Sequence, residues 1–439
     1  MILDIGITEV EKSNEFLRSL WAEMAREFGK CAWYYTPYKI KQAKTITFGF
    51  MDIGESVLIV GVTYKNKGSI IKLFFEYSED IYGYGYIEGQ KDKLKKESQL
   101  GKRLEKVVKK ARKSMGKYKN YSALPIIKSI LPLSNYEGHN FKVEYIGVNK
   151  TRIYFPVAAY DKNQVEGKII QKTNQVIDFL SVETNAPFWN ASTTSKEDKE
   201  RTELIEELYQ EPDFIDGLSV KNGYLTISEE AKEFLDYLIK SNGEKKELQI
   251  FLNACYHFHT ARKYDAQIHD HQGYIRHPFE DGSGVKIEIY NKNQDLRTAL
   301  NIGSSQTEIA TILYMSALEV VTLIGFHSEK CEMCNQEKYG IASRVGKLVK
   351  EKLNSNIASQ LNNYYDKRSK YLHRGYMLTD DAPTNSLIPL LDIDGENGCD
   401  FPVQVSLINL REYTSYILRA FYKEYFLNKE NVKKTNFFE

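Results

Sequence analysis

YYDKRSKYLHRGY, residues 364–376, decides how the C-terminal half of the chain folds. Laid out at about 100° per residue together with the residues before it, Ile357, Leu361, Tyr364, Tyr365 and Leu372 fall within a band of about 100°. The spacing predicts a helix over about 356–374, and Arg368 lies in the middle of its apolar band. A guanidinium cannot be neutralised in a protein, so an arginine there needs a carboxylate, a set of carbonyls or a cleft that admits an anion. His373, five residues on, lies about 140° further around the helix, so on one straight helix the two side chains diverge. A histidine at this place is either a C-terminal cap interacting with the helix dipole or a catalyst. It meets Arg368 in one cleft only if the helix frays near Gly375 or a second subunit supplies the missing half.

Helical spacing extends outward from this stretch. It predicts helices at about 246–267, 297–326, 337–353, 356–374 and 403–428, with loops at 268–292 and 375–402, hence an antiparallel bundle over 246–439. The run IATILYMSALEVVTLIGF (309–326) approaches the length of a membrane span, but Glu319 sits near its middle, as befits a buried helix. Glu319 is either the partner of Arg368 or part of an exposed rim, and Arg344 is a rival partner.

The N-terminal half has another texture. Residues 9–28 alternate at helical spacing, and then TITFGFMDIG, SVLIVGVTY, SIIKLFFEYS, FKVEYIGV and RIYFPVAAY follow, rich in β-branched and aromatic residues between turn signals. Residues 1–190 are therefore expected to be an α+β domain of mostly antiparallel strands with inserted helices, serving in sensing or RNA positioning. A helical linker region over 191–245 opens with the polar NASTTSKEDKERTE (190–203).

Bulk composition narrows the classes. At 439 residues, 42% apolar and 27% charged, the chain is a folded protein of two or three domains and not a disordered one. No basic region followed by an apolar core opens it, and five cysteines make no disulfide framework, so a cytoplasmic protein with no membrane association is expected. The net charge of +1 excludes a global attraction to polyanions, but the charge is uneven. KDKLKKESQLGKRLEKVVKKARKSMGKYK (91–119) carries thirteen Lys or Arg against three acids and keeps apolar residues for one packed side. Lys102, Arg103, Lys106, Lys109, Lys110, Arg112 and Lys113 form either a phosphate-backbone contact surface or a solvated face.

Cys331 and Cys334 form a CxxC, half of a tetrahedral zinc site. In an up-down bundle Cys399 and His327 lie at the same end, so the four residues make either a structural zinc clip or a loop with free thiols. CYHFHTARKYDAQIHDHQGYIRH (255–277) holds five of the eight histidines. His257 and His259 point about 200° apart on a helix and cannot share an ion, and a site at His269, Asp270 and His271 would need a third element, so the cluster is expected to be mostly structural or surface, with RNA contact the lesser alternative. GSGVKI (282–287) lacks the spacing of a phosphate loop.

RSKYLH is an RxxxxH sequence. With SALEVV and KYGIASRVGKLV before it and glycine after it, it resembles the HEPN superfamily, in particular its Apea-like branch, over about 295–425. The resemblance implies an all-α HEPN bundle that forms a homodimer with two RxxxxH motifs in one cleft, and a metal-independent endoribonuclease. Carried over, Arg368 binds the scissile phosphate, His373 transfers a proton or holds the phosphate, Ser369 is the polar residue after the arginine, and Glu319 orients Arg368. The product ends would be a 2′,3′-cyclic phosphate and a 5′-hydroxyl. Related proteins act in phage defence or abortive infection, often on tRNA, so a phage-derived trigger or an antitoxin is an implied partner. The alternatives are a non-catalytic HEPN module that binds RNA or protein, and the toxin half of a toxin–antitoxin pair. No cofactor is expected for catalysis, with zinc only as a structural ion.

Overall fold

The computed structural model describes residues 1–29, 31–40, 44–54, 56–66, 68–78, 94–147, 149–192, 219–221, 224–241, 245–269, 272–278, 285–291, 304–326, 329–330, 337–338, 340–374 and 407–428. The chain is mixed α/β. It divides into two compact units, Met1–Tyr121 with Val157–Lys168, and Ser122–Pro156 with Ile169–Glu439.

In the first unit β1 (Ile2–Ile7), β2 (Ala32–Ile40), β3 (Thr45–Asp52), β4 (Val57–Thr63) and β5 (Ile70–Ser78) form an antiparallel sheet in the order β1-β5-β4-β3-β2. Strands β2 to β5 follow one another as a meander, and β1 adds to β5. Helix α1 (Val10–Phe28) buries Phe16, Leu20 and Met24, spaced four apart, while α2 (Gln99–Ser114) buries Leu104, Val107, Val108 and Ala111. These side chains share one core with Leu3, Leu58, Val60 and Phe75 of the sheet, the joint burial that lets two amphipathic helices cover one apolar face. The Ser19 hydroxyl donates to the Ala111 carbonyl at 2.9 Å, fixing α1 against α2. At Gly61 in β4 a Cβ would stand 2.6 Å from the Ile46 carbonyl oxygen and run into the Phe74 ring, so only glycine fits this crossing of strands.

A second sheet contains β6 (Lys119–Ala123), β7 (Ile126–Ser129), β8 (Tyr136–Glu137), β9 (Lys142–Gly147), β10 (Lys150–Ala159) and β11 (Phe188–Ser192). It runs β11-β7-β10-β9-β8, each neighbouring pair antiparallel, with β6 also paired to β10. Helix α3 (Lys162–Thr184) follows β10, and every residue from Val176 to Phe188 is buried. A short hairpin, β12 (Val220–Lys221) and β13 (Tyr224–Leu225), leads into α4 (Glu229–Lys240) and α5 (Lys246–His269).

Where the sequence suggested a loop over 268–292, two strands pair: β14 (Gln272–Pro278) and β15 (Val285–Asn291) form an antiparallel hairpin. Val285, Ile287 and Ile289 alternate with Lys286 and Glu288, a period of two that the neighbouring histidines and glycines obscure. Next come α6 (Ser304–Val321), the short pair β16 (Glu329–Lys330) and β17 (Glu337–Lys338), α7 (Ile341–Lys352), α8 (Ser355–Arg374) and α9 (Leu407–Tyr422), which continues as a π turn over Lys423–Leu427. Helix α6 packs against α5, α7, α8 and α9, and α7 packs against α8. Phe179, Phe234, Phe251 and Tyr422 pack ring against ring, tilted or edge to face, where α3, α4, α5 and α9 meet.

Candidate functional site

Helices α6, α7 and α8 bring three charges of the second unit together. Burial falls along the apolar stripe of α8: Leu361 is 2% exposed and Leu372, at the far end, 49%. Arg368 lies between them with its side chain 16% exposed, and its Nη1 donates to Glu319 Oε1 at 2.6 Å. Its Nη2 reaches the Ser316 hydroxyl at 3.5 Å. Ser316 and Glu319 are three apart and so share one face of α6. Of the two partners the sequence left open for Glu319, the ion pair forms with Arg368.

Arg344 joins the cluster from α7. Its Nε donates to the Thr322 hydroxyl at 3.3 Å, and its guanidinium carbon lies 3.9 Å from the centre of the Phe326 ring. The Thr322 hydroxyl in turn donates to the Glu319 carbonyl at 2.7 Å, closing the last turn of α6. Burial pushes the Glu319 carboxyl above the usual carboxylate range, against the pull of Arg368 and, after it, of Arg344. Burial likewise lowers the proton affinity of Arg344, with Glu319 the main opposing charge. Desolvation outranks attraction at both groups.

Ser369 is half-buried beside Arg368. His373 stands in the last turn of α8, which ends at Arg374. The arrangement can hold a guanidinium in one orientation at the rim of packed helices, with a histidine on the following turn. A guanidinium so held suits an anion.

The remaining candidates fall elsewhere. On α2 in the first unit, Lys102, Lys106, Lys109, Lys110, Arg112 and Lys113 are exposed. Lys102, Lys106, Lys109 and Lys113 form a row opposite the buried Leu104, Val107, Val108 and Ala111. Lys109 pairs with Glu105 at 3.0 Å. Arg103 makes its contacts with α1, pairing with Glu27 at 3.2 Å and lying 4.4 Å from the centre of the Phe28 ring.

His327, Cys331, Cys334 and Cys399 lie outside the described residues, as do Asp270 and His271. The strands β16 and β17, on either side of 331–336 in sequence, pair with each other. Among the described residues no group of His, Cys, Asp or Glu is arranged to hold a metal ion.

His259 is structural, as expected of its helix. It is 1% exposed, its Nδ1 lies 2.7 Å from Asp178 Oδ1, and the Phe188 N–H donates to its Nε2 at 3.0 Å. Burial lowers the pKa of His259 despite Asp178, and burial also lowers that of half-buried His257, so both rings are held neutral.

The sequence offered Arg344 only as a rival partner for Glu319, and periodicity did not mark it as buried, because α7 has the pattern of an ordinary amphipathic basic helix. Periodicity also missed a cleft of about 230 Å³ in the second unit whose lining includes Glu183, Thr226, Ser228, Ser415, Arg419 and Lys423. Ser415, Arg419 and Lys423 recur every four residues along α9 and its π turn, but Glu183, Thr226 and Ser228 come from distant segments that no local spacing connects to them. Glu183 at its edge accepts from the Ser228 hydroxyl at 2.6 Å and from the Tyr422 hydroxyl at 2.9 Å.

No family model, curated protein or solved structure matches the chain. Among the described residues no helix is long and apolar enough to cross a membrane.

Proposed function

We propose that the chain is a metal-independent endoribonuclease whose site is built on Arg368 and His373. The observation that carries this reading is the pairing of Arg368 with Glu319 at 2.6 Å, on the stripe where a charge is otherwise out of place. It is joined by the resemblance of RSKYLH and its surroundings to the HEPN superfamily. In this proposal helices α5 to α9 form a HEPN bundle, and two copies pair so that each supplies one RxxxxH to a common cleft. Such pairing removes the difficulty that Arg368 and His373 diverge on one helix.

The chemistry needs no group beyond the chain and its substrate. The 2′-oxygen of a ribose attacks the adjacent phosphorus as its proton is removed, the bond to the 5′-oxygen breaks, and that oxygen takes up a proton. A 2′,3′-cyclic phosphate and a 5′-hydroxyl remain. His373 serves the proton transfers and Arg368 the charge that develops on the phosphoryl oxygens. Glu319 and Ser316 fix the Arg368 guanidinium so that less orientation is lost on binding. Ser369 offers a further hydroxyl beside it. The α2 lysine row supplies non-specific contacts to the RNA backbone. tRNA is the leading substrate, and defence against phage in the cytoplasm, through abortive infection, is the proposed setting.

The test is incubation of the purified full chain with tRNA and total RNA in EDTA. Wild type is expected to cut, leaving 2′,3′-cyclic phosphate ends, and His373→Ala and Arg368→Ala are expected not to. Identical RNA patterns from wild type and His373→Ala would sink the nuclease. Binding without cleavage would favour a HEPN-type binding module. Cleavage appearing only after a partner protein is removed would favour the toxin half of a toxin–antitoxin pair.

A further inference from the structure

The function proposed above uses Arg368 and Glu319 and leaves Arg344 without a task. Arg344 is only 8% exposed, yet its Nη1 has no hydrogen-bond partner among the described residues, and the same holds for Nε of Arg368. Two buried guanidinium nitrogens of one cluster are thus left without acceptors, an arrangement that costs stability wherever it occurs. Among the described residues the charges do not balance either: Arg344 and Arg368 carry two positive charges, and Glu319 carries one negative. A core selected for stability would close that gap with a second carboxylate or an apolar residue at position 344. The Phe326 ring and the Thr322 hydroxyl hold the Arg344 guanidinium in place, so the residual charge is fixed and directed.

We propose that Arg344 is a positioning residue for a phosphodiester at the Arg368 site, and that the uncompensated positive charge of the three-residue set is matched to a single backbone phosphate of an RNA strand. This rests on the phosphodiester reading of Arg368. Arg344, held by Thr322 and Phe326 just beyond Glu319 in the chain, adds to the positive charge that Arg368, kept in orientation by Glu319 and Ser316, presents to a phosphate. Arg344 acts through Glu319 and Arg368 and touches no reacting atom.

The experiment measures binding of a mixed-sequence 2′-O-methyl oligoribonucleotide, which lacks the nucleophile, and cleavage of the unmodified RNA. It compares the wild-type full chain with Arg344→Met, Arg344→Lys and Arg368→Met. Arg344→Met is expected to melt no earlier than wild type, because an apolar side chain replaces a buried charge. Its affinity for the 2′-O-methyl RNA is expected to fall about tenfold or more, the loss appearing in KM more than in kcat, with partial recovery in Arg344→Lys. A folded Arg344→Met with wild-type affinity, beside an Arg368→Met that has lost it, overturns the proposal for Arg344 and leaves the site itself standing. Wild-type binding and cleavage by Arg368→Met overturns the phosphodiester reading instead.

Should Arg344→Met fail to fold, side-chain Nε signals of the ¹⁵N-arginine-labelled wild-type protein decide, with Arg344→Lys used for assignment. Movement of the Arg344 signal on adding 2′-O-methyl RNA supports the proposal. A stationary Arg344 signal beside a moving Arg368 signal overturns it.

Discussion

Glu319 and Arg368 lend themselves to a double-mutant cycle with an asymmetric outcome. With side chains 14% and 16% exposed, they form a largely buried pair. Removing one partner of a buried pair costs about 3–5 kcal/mol. Residual solvent access places Glu319→Gln at the lower end, about 3 kcal/mol. That substitution leaves the Arg368 guanidinium without its carboxylate. Arg368→Met leaves a carboxyl that, unlike a guanidinium, can take up a proton, and should cost less, about 1–2 kcal/mol. The double variant should return to within about 1 kcal/mol of wild type, since burial already outweighs attraction at Glu319. Thermal melts of the full chain, followed by circular dichroism, read this as a drop of about 6–12 °C for Glu319→Gln, using about 2–4 °C per kcal/mol. RNA binding should not recover with stability, because the double variant lacks the phosphate contact. Additive single effects, with a coupling below about 0.5 kcal/mol, would show that the pair does not interact and would refute the reasoning.

Three further outcomes are expected. Replacing Lys102, Lys106, Lys109 and Lys113 by Gln should lower the slope of log K against log salt for single-stranded RNA by about 0.7 per lost contact, with no change in melting temperature; an unchanged slope would return the row to a solvated face. Burial depresses the pKa of His257 and His259, so below about pH 6.5 the unfolded chain takes up protons that the folded chain refuses. Stability should therefore be full above that pH and fall by up to about 1.4 kcal/mol per pH unit for each histidine as pH drops, and a denaturation midpoint as low-pH-sensitive in His259→Gln as in wild type would count against it. A zinc clip on His327, Cys331, Cys334 and Cys399 predicts stoichiometric zinc in freshly purified, chelator-free protein, lost together in Cys331→Ser and Cys334→Ser; metal-free wild type would dispose of it.

What could be seen in the sequence depended on whether the deciding constraint was local. Arg368 was visible because a charge on an apolar stripe breaks a period of 3.6 within one helix, and Glu319 because it interrupts one long apolar run. Strands β3, β4, β5, β9 and β10 and helices α1 and α2 carried their signals in their own residues, either alternation or one packed side. Helix α3 did not, since burial on every side from Val176 to Phe188 erases the contrast between faces on which periodicity relies. Its polar residues are instead non-local hubs, Asp178 for His259 on α5 and Glu183 for Ser228 and Tyr422.

Arg344 marks the boundary between these cases. On its own helix it is one basic residue among several, with Lys347 and Lys350 exposed and Val345, Leu348 and Val349 buried. Only the approach of α6 makes it a buried cation, and only the presence of Glu319 and Arg368 makes the local charge uneven. A stripe with one misplaced arginine calls for one carboxylate, and Glu319 answers it. A second arginine beside that pair has no carboxylate of its own among the described residues, so its proposed role in positioning an anion rests on the charge count and not on the helix pattern.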